Sequence, residues 1–180
     1  MKTFTFPKIF LLGFFLSSAL FAKVEVPRFL SVSPGVYRSG RSNEEGIKWL
    51  KEKYKIKTII NLENSNSAIK NEKRWAEKYD IDFHSLPMNG SKTPEDKTVN
   101  EALDLLDNSA NHPILVHCKY GRDRTGLIIA LHRVENLGWD AQDAHDEMID
   151  LGFRLYLYKM NRYFKKRTGL SKMLLQAFEY

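Results

Sequence analysis

From Val36 onward the chain switches between two hydrophobic periods. Short apolar or alternating runs at Val36–Arg38, Thr58–Leu62, Ile81–Leu86 and Ile114–His117 read as strands, the third of them closed by Pro87. Between them apolar residues recur at helical spacing. Asn43 to Tyr54 carries Ile47, Leu50 and Tyr54 on one face, with Asn43 placed to cap it and Glu44 and Glu45 at its positive end. Ala68–Tyr79 presents Ile69, Trp75 and Ala76, and Thr98–Leu106 presents Val99, Ala102, Leu103 and Leu106. A further helix runs to about Leu137, another is capped by Asp140 and continues through Met148, and a last one covers Leu155–Lys166. Glu25–Pro34, with two prolines, is expected to cross the surface in extended form, and Met88–Pro94 is a loop. No internal repeat, linker or low-complexity segment interrupts this order. Strands alternating with helices predict an α/β layer structure, a small central mixed sheet flanked by helices.

The first 22 residues break the pattern. Lys2 and Lys8 precede a nearly continuous apolar run, Ile9–Phe21, which ends in small residues near Ala19 and Ala22. This reads as a secretory signal peptide, and the run is too short to span a bilayer, which takes roughly 20 residues. The expected organisation is therefore residues 1–22 as signal and 23–180 as one domain, exported to the periplasm or beyond and without a membrane span once processed. Losing Lys2 and Lys8 lowers the net charge from +6 to +4. The single cysteine, Cys118, excludes an internal disulfide and has no resolving partner.

That cysteine opens the segment Cys118-Lys119-Tyr120-Gly121-Arg122-Asp123-Arg124-Thr125-Gly126, between the apolar strand Ile114–His117 and the helical run Leu127–Leu131. Strand, tight turn and helix in succession point the turn's N–H groups and the helix N-terminus at one anion. Arg124 adds a planar fork that can hold two phosphoryl oxygens. The same positive surroundings lower a cysteine from roughly 8.5 toward about 3.5–7.5, predicting a thiolate at neutral pH. Thr125 can donate its hydroxyl to the sulfur, and Gly121 and Gly126 permit the backbone curl and a close helix approach. These residues are what phosphate-ester hydrolysis through a covalent intermediate requires. Cys118 and Arg124 are the expected catalytic pair, with Lys119, Tyr120, Gly121, Arg122, Asp123, Thr125 and Gly126 holding phosphate. Asp123 places a negative charge next to Arg124, so it is expected to turn away and brace a neighbouring group, with a proton-donating or water-positioning role as the alternative.

The segment matches the Cys-x5-Arg-Ser/Thr-Gly signature, and the chain resembles the cysteine-dependent protein tyrosine phosphatase superfamily. Val36–Gly40, Thr58–Leu62 and Asn111–His117 look like the atypical dual-specificity phosphatases of plants and fungi. They are also similar to bacterial tyrosine-phosphatase-type enzymes acting on inositol polyphosphates. The resemblance runs from about Val36 to about Phe164. It implies the dual-specificity-like fold of that superfamily, a cysteinyl-phosphate intermediate, and neither cofactor nor metal. The Trp-Pro-Asp acid loop of other members is missing. Its counterpart is Lys92-Thr93-Pro94-Glu95-Asp96, where Asp96, with Glu95 as alternate, takes the place of the general acid.

Charge bears on the substrate. Lys119 and Arg122 lie inside the loop, Lys92 on the acid segment, and Arg38 and Arg41 follow the first strand, Arg38 with a structural role bracing the loop as its alternative. Seven basic residues and no acidic one fall between Arg154 and Lys172, with Lys159, Arg162 and Lys166 at helical spacing. A ring bearing several phosphates needs cations around the reacting one, so an inositol polyphosphate is the expected substrate, with Lys92 and Arg41 as further contacts. A phosphoprotein is the alternative. A polyanion- or nucleic-acid-binding module is the non-enzymatic one, which the intact Cys118 and Arg124 and the export signal oppose. The chain is expected to act as a monomer, and the other histidines show no metal-ligand spacing.

Overall fold

The structure, a computed structural model, describes residues 23–170; the signal peptide expected at residues 1–22 lies outside them. Five strands form one sheet: β1 (Leu30–Ser33), β2 (Val36–Gly40), β3 (Thr58–Asn61), β4 (Asp82–Ser85) and β5 (Ile114–Cys118). Their order is β1-β2-β5-β3-β4, antiparallel only between β1 and β2. Among the described residues there are six α-helices, α1 (Glu44–Tyr54), α2 (Asn66–Lys78), α3 (Asp96–Asp107), α4 (Asp123–Glu135), α5 (Ala141–Asp150) and α6 (Tyr158–Arg167). The mixed sheet flanked by helices is the predicted architecture.

The segment expected to cross the surface contains β1. Pro34-Gly35 closes it against β2 as a hairpin, with Gly35 at φ 78°. A strand of four residues beside two prolines has too little pattern to stand out, although the Pro-Gly dipeptide marks the turn. The helix expected from Leu155 begins at Tyr158, three residues later.

Alternation along the strands divides the core in two. Val36, Ile60, Ile114, Val116 and Cys118 face α3, α4, α5 and α6. Ile59 and Leu115 face α1 and α2. Asn43 caps α1 by accepting from the Gly46 N–H at 2.8 Å, and Asp140 caps α5 by accepting from the Gln142 N–H at 2.7 Å. β5 is central, paired on both edges and buried along its whole length. Its register sets Gly40 opposite Cys118, and both Ser39 and Asn61 opposite His117. The carboxyl ends of three parallel strands thus meet where α4 begins, the end at which ligands of such sheets bind. Among the described residues no helix is long and apolar enough to cross a membrane.

Candidate active site

Cys118 ends β5 with 2% of its surface exposed. Burial alone pushes its thiol up. The Thr125 side chain and amide, the Arg124 charge and the Tyr120 amide overcome that, so the thiol lies below its ordinary range. Thr125 Oγ1 has no other polar partner among the described residues, which leaves it to the sulfur. Gly121 takes φ 67°, the left-handed turn that aims successive N–H groups inward. Its carbonyl points outward and accepts from Arg38 Nη2 at 2.8 Å. Arg38, 2% exposed, therefore braces the loop from behind, and burial lowers its guanidinium below its usual value.

Arg124 is held from one side. Its Nη1 donates to the carbonyls of Leu62 at 2.9 Å and Met88 at 3.3 Å, and to Asn64 Oδ1 at 3.4 Å. Two backbone carbonyls from separate segments fix the fork, and among the described residues Nε and Nη2 make no protein hydrogen bond, the edge an oxyanion can take. Asp123 turns away, as expected, and is 4% exposed. Its carboxylate accepts from Arg154 Nη2 at 2.7 Å, from Nε at 3.1 Å and from the Arg154 backbone N–H at 3.1 Å. Its side chain is thereby removed from the phosphate-holding set, leaving only its backbone to the anion.

Beyond the loop, Tyr120 stands 45% exposed. Lys119 Nζ lies 5.0 Å from its ring centre, and the guanidinium carbons of Arg122 and Arg154 lie at 5.3 and 5.9 Å. Three cations from two segments thus lie within 6 Å of one exposed aromatic ring of the loop. Arg154 was not among the residues expected at the mouth; it reaches there through Asp123, whose need of a basic partner was the available signal. Lys92 is exposed in the loop after Met88 and lines a small recess with Pro87 and Asn89.

Two expected residues are placed differently. The Arg41 fork is occupied by Glu63: Nε donates to Oε1 at 2.6 Å, Nη2 bonds Oε2, and the pair raises the Arg41 guanidinium. Glu63 is 2% exposed, so Arg41 neutralises a buried carboxylate and is not free for substrate. Asp96 is the first residue of α3, and its carboxylate accepts from the Tyr163 hydroxyl at 2.6 Å and lies 3.9 Å from Arg167. Arg167 in turn holds Glu135, the last residue of α4. Cys118 lies at the opposite end of that helix, whose 13 residues span about 20 Å. The structure therefore does not bring Asp96 to the phosphate loop, and Glu95, exposed beside it, makes no capping bond. The Met88 carbonyl is bonded to Arg124, and the loop residues that follow it, Asn89, Gly90, Ser91 and Lys92, include no carboxylate.

Behind the cysteine lies a buried group that pattern reading missed. His117 points to the α2 side of the sheet, where Nε2 is 2.9 Å from Glu72 Oε1, off the line of a good hydrogen bond; both residues are at most 2% exposed. Asn61 Nδ2 donates to the other Glu72 oxygen, and Asn61 Oδ1 accepts from the Glu63 N–H at 2.7 Å. Burial opposes the imidazolium, but Glu72, then Cys118 and Glu63, raise His117 above its usual range. The imidazolium is thus favoured beyond what burial alone would allow, one residue from Cys118 along the chain. Among the described residues no cluster of His, Cys, Asp and Glu has the form of a metal site.

Comparison with known proteins agrees with this geometry. Residues 23–168 match the profile of the tyrosine phosphatase family. The dual specificity protein phosphatase TpbA of Pseudomonas aeruginosa is 32% identical over 123 residues, 68% of this chain and 53% of that protein. The inositol diphosphatase SIW14 of Saccharomyces cerevisiae is 30% identical over 124 residues, 66% of this chain and 43% of that protein. The chain thus spans about half the length of the curated relatives it matches. The solved catalytic core of Siw14 superimposes with a TM-score of 0.66 at 26% identity, covering 84% of this chain and 96% of that one. The crystal structure of P. aeruginosa TpbA gives 0.64 at 25% identity, covering 77% and 83%.

Proposed function

The chain belongs to the tyrosine phosphatase family, and on that premise we propose that it is a cysteine-dependent phosphatase acting on small, multiply phosphorylated inositols. The observation that carries the reading is the buried, lowered Cys118 thiol beneath a mouth ringed by Lys119, Arg122 and Arg154. The thiolate attacks phosphorus, a sulfur–phosphorus bond forms, and the bond to the leaving oxygen breaks. Arg124 and the loop N–H groups hold the equatorial oxygens throughout. Water then attacks the cysteinyl phosphate, releasing inorganic phosphate and regenerating the thiolate. Thr125 steadies the departing sulfur.

The position of Asp96 narrows the substrate. An alkoxide is a poor leaving group and needs a proton, which a positioned acid typically supplies with about 10²–10⁴-fold effect. A phosphate leaving from a diphosphate departs as a stable anion and needs none. With no carboxylate in Asn89–Lys92, the loop favours a diphosphate or an activated ester, and several relatives are named inositol diphosphatases. Removal of phosphates from inositol hexakisphosphate is the slower reaction on this reading. Export after removal of residues 1–22 is carried by the leader's composition alone.

A second reading, phosphotyrosine in proteins, is favoured by the exposed aromatic rim of Tyr120, Tyr156 and Tyr158 and by the likeness to TpbA. Phosphate release from a diphosphoinositol, inositol hexakisphosphate and a phosphotyrosine peptide, with Cys118→Ser as the inactive control, decides between them. The diphosphoinositol should give the highest kcat/KM. A preference for the peptide that survives Lys119→Ala and Arg122→Ala would replace the inositol reading.

A further inference from the structure

A groove of about 670 Å³ opens between Pro94, before α3, and the exposed face of α6. Its α6 wall carries Lys159, Arg162 and Lys166, one helical turn apart, so that the three cations line a single side. Among the described residues none of the three is paired with a carboxylate. Among the described residues the one carboxylate lining the groove, Asp96, is held by Tyr163, whose phenol is pushed up to about 12 by burial and by that bond. Arg167, also at the groove, is already saturated by Glu135 and the Tyr163 hydroxyl. The floor is thus fixed and internally neutralised, while the wall has three unspent charges facing a concave space.

On a convex helix face such cations are well hydrated and mean little. Here they line one wall of a concave space, where like charges beside a low-dielectric surface focus potential and concentrate counter-anions. The Lys159–Lys166 separation of seven residues corresponds to about 10 Å of helix, on the scale of a six-membered ring with phosphates on opposite sides. We propose that this groove is a second anion site, distinct from the phosphate loop, which binds clustered phosphates carried on one small ring, either free or as a lipid headgroup. It performs no chemistry, since no nucleophile or positioned acid lines it. Its lining holds no residue of the phosphate loop, so it would retain a polyphosphate apart from the catalytic mouth, and only the choice of probe rests on the proposed activity.

The test is calorimetric titration of inositol hexakisphosphate into Cys118→Ser at moderate salt, beside the same protein bearing Lys159→Ala, Arg162→Ala and Lys166→Ala. The expected result is two binding events per chain, one of which weakens about tenfold or more in the triple variant while the other is unchanged. Arg124→Met should weaken the other event and spare the groove. Cosedimentation with vesicles carrying phosphatidylinositol bisphosphate, with and without the triple substitution, assigns the source: loss of vesicle binding points to a headgroup, loss of soluble binding alone to a free ligand. If the inositol activity is absent but the groove event persists, the proposed function fails and this site stands. A single event untouched by the triple variant, or equal weakening of both, overturns the second site. The three residues are surface-exposed or half-buried, and an unchanged melting temperature excludes misfolding as the cause.

Discussion

Replacing Gly121 by alanine tests how tightly the phosphate loop is seated on the sheet. A Cβ there would lie 2.6 Å from Gly40 N and from the carbonyl carbon and oxygen of Ser39, all backbone atoms of β2 that cannot rotate away. Ordinary contact begins near 3.4 Å, so loop and strand must separate by nearly 1 Å. The φ of 67° adds about 1–2 kcal/mol for a side-chain-bearing residue, and relieving the overlap adds about 1–3 kcal/mol. The shift also stretches the 2.8 Å bond from Arg38 to the Gly121 carbonyl toward breaking. A loss of about 2–5 kcal/mol lowers the melting temperature of a domain this size by roughly 5–15 °C. Displacing phosphate-binding N–H groups by that distance costs about 10²-fold in turnover. Circular dichroism melting and phosphate release from an activated aryl phosphate measure both effects. Two other glycines calibrate them. Gly90→Ala meets nothing within 4 Å and should be silent, while Gly126→Ala meets the movable Met148 Cγ at 3.3 Å and should be mild. A Gly121→Ala protein that melts and turns over like Gly90→Ala would refute the reasoning.

The lowered Cys118 thiol predicts activity and iodoacetamide alkylation that persist below the ordinary thiol range and fade only as acid protonates the sulfur; an alkylation midpoint at about 8.5 or above contradicts it. Glu72→Gln removes the counter-charge of His117 and should cost about 3 kcal/mol in denaturant titration. Because the folded His117 pKa is raised, that stabilisation is complete below about pH 6.5 and is lost as pH rises through the folded value, so the wild-type advantage should shrink in alkali, and alkylation of the variant should move to higher pH. Arg41→Met should lose about 1–3 kcal/mol by orphaning buried Glu63, whereas Lys119→Ala should leave melting unchanged and raise KM. Asp96→Asn should change kcat on a diphosphate by less than about threefold; a loss in the 10²–10⁴ range would put Asp96 at the leaving oxygen.

What could be read from the sequence was what a periodic pattern or a contiguous motif encodes. β5, the turn and α4 are consecutive, so the chemistry of Cys118, Thr125 and Arg124 is written in one stretch of chain. Asn43 and Asp140 announced their helices because a cap acts within three residues. The pairings were not legible. Arg41–Glu63, Asp123–Arg154 and His117–Glu72 join residues 22, 31 and 45 positions apart, and each requires the tertiary fold, sheet register or helix packing, before the partners can be named. Glu63 and Glu72 look like ordinary surface carboxylates in sequence, and only the burial of β3's end and of one face of α2 turns them into counter-ions. Asp96 shows the converse hazard. Its spacing suited a general acid, yet starting α3 two residues earlier than the apolar pattern indicated turned it toward Tyr163.

The placement of the nucleophile on β5 has a bearing on how this protein can be switched off. Strands flanking it on both edges, and layers covering both faces, make β5 the part of the chain whose amides should exchange slowest with solvent. A reactive group mounted on a hinged loop can be disarmed by small local openings that leave the rest intact. Here the sulfur, its register partner Gly40 and the histidine beside it all belong to the most protected layer, whereas Thr125, Arg124 and the Tyr120 amide, which lower the thiol, lie on the turn and the first turn of α4. The sheet thus fixes where the sulfur sits, and the turn fixes its ionisation. A switch acting on this site would have to shift the turn, modify the sulfur or block the mouth, rather than move the strand that carries the sulfur.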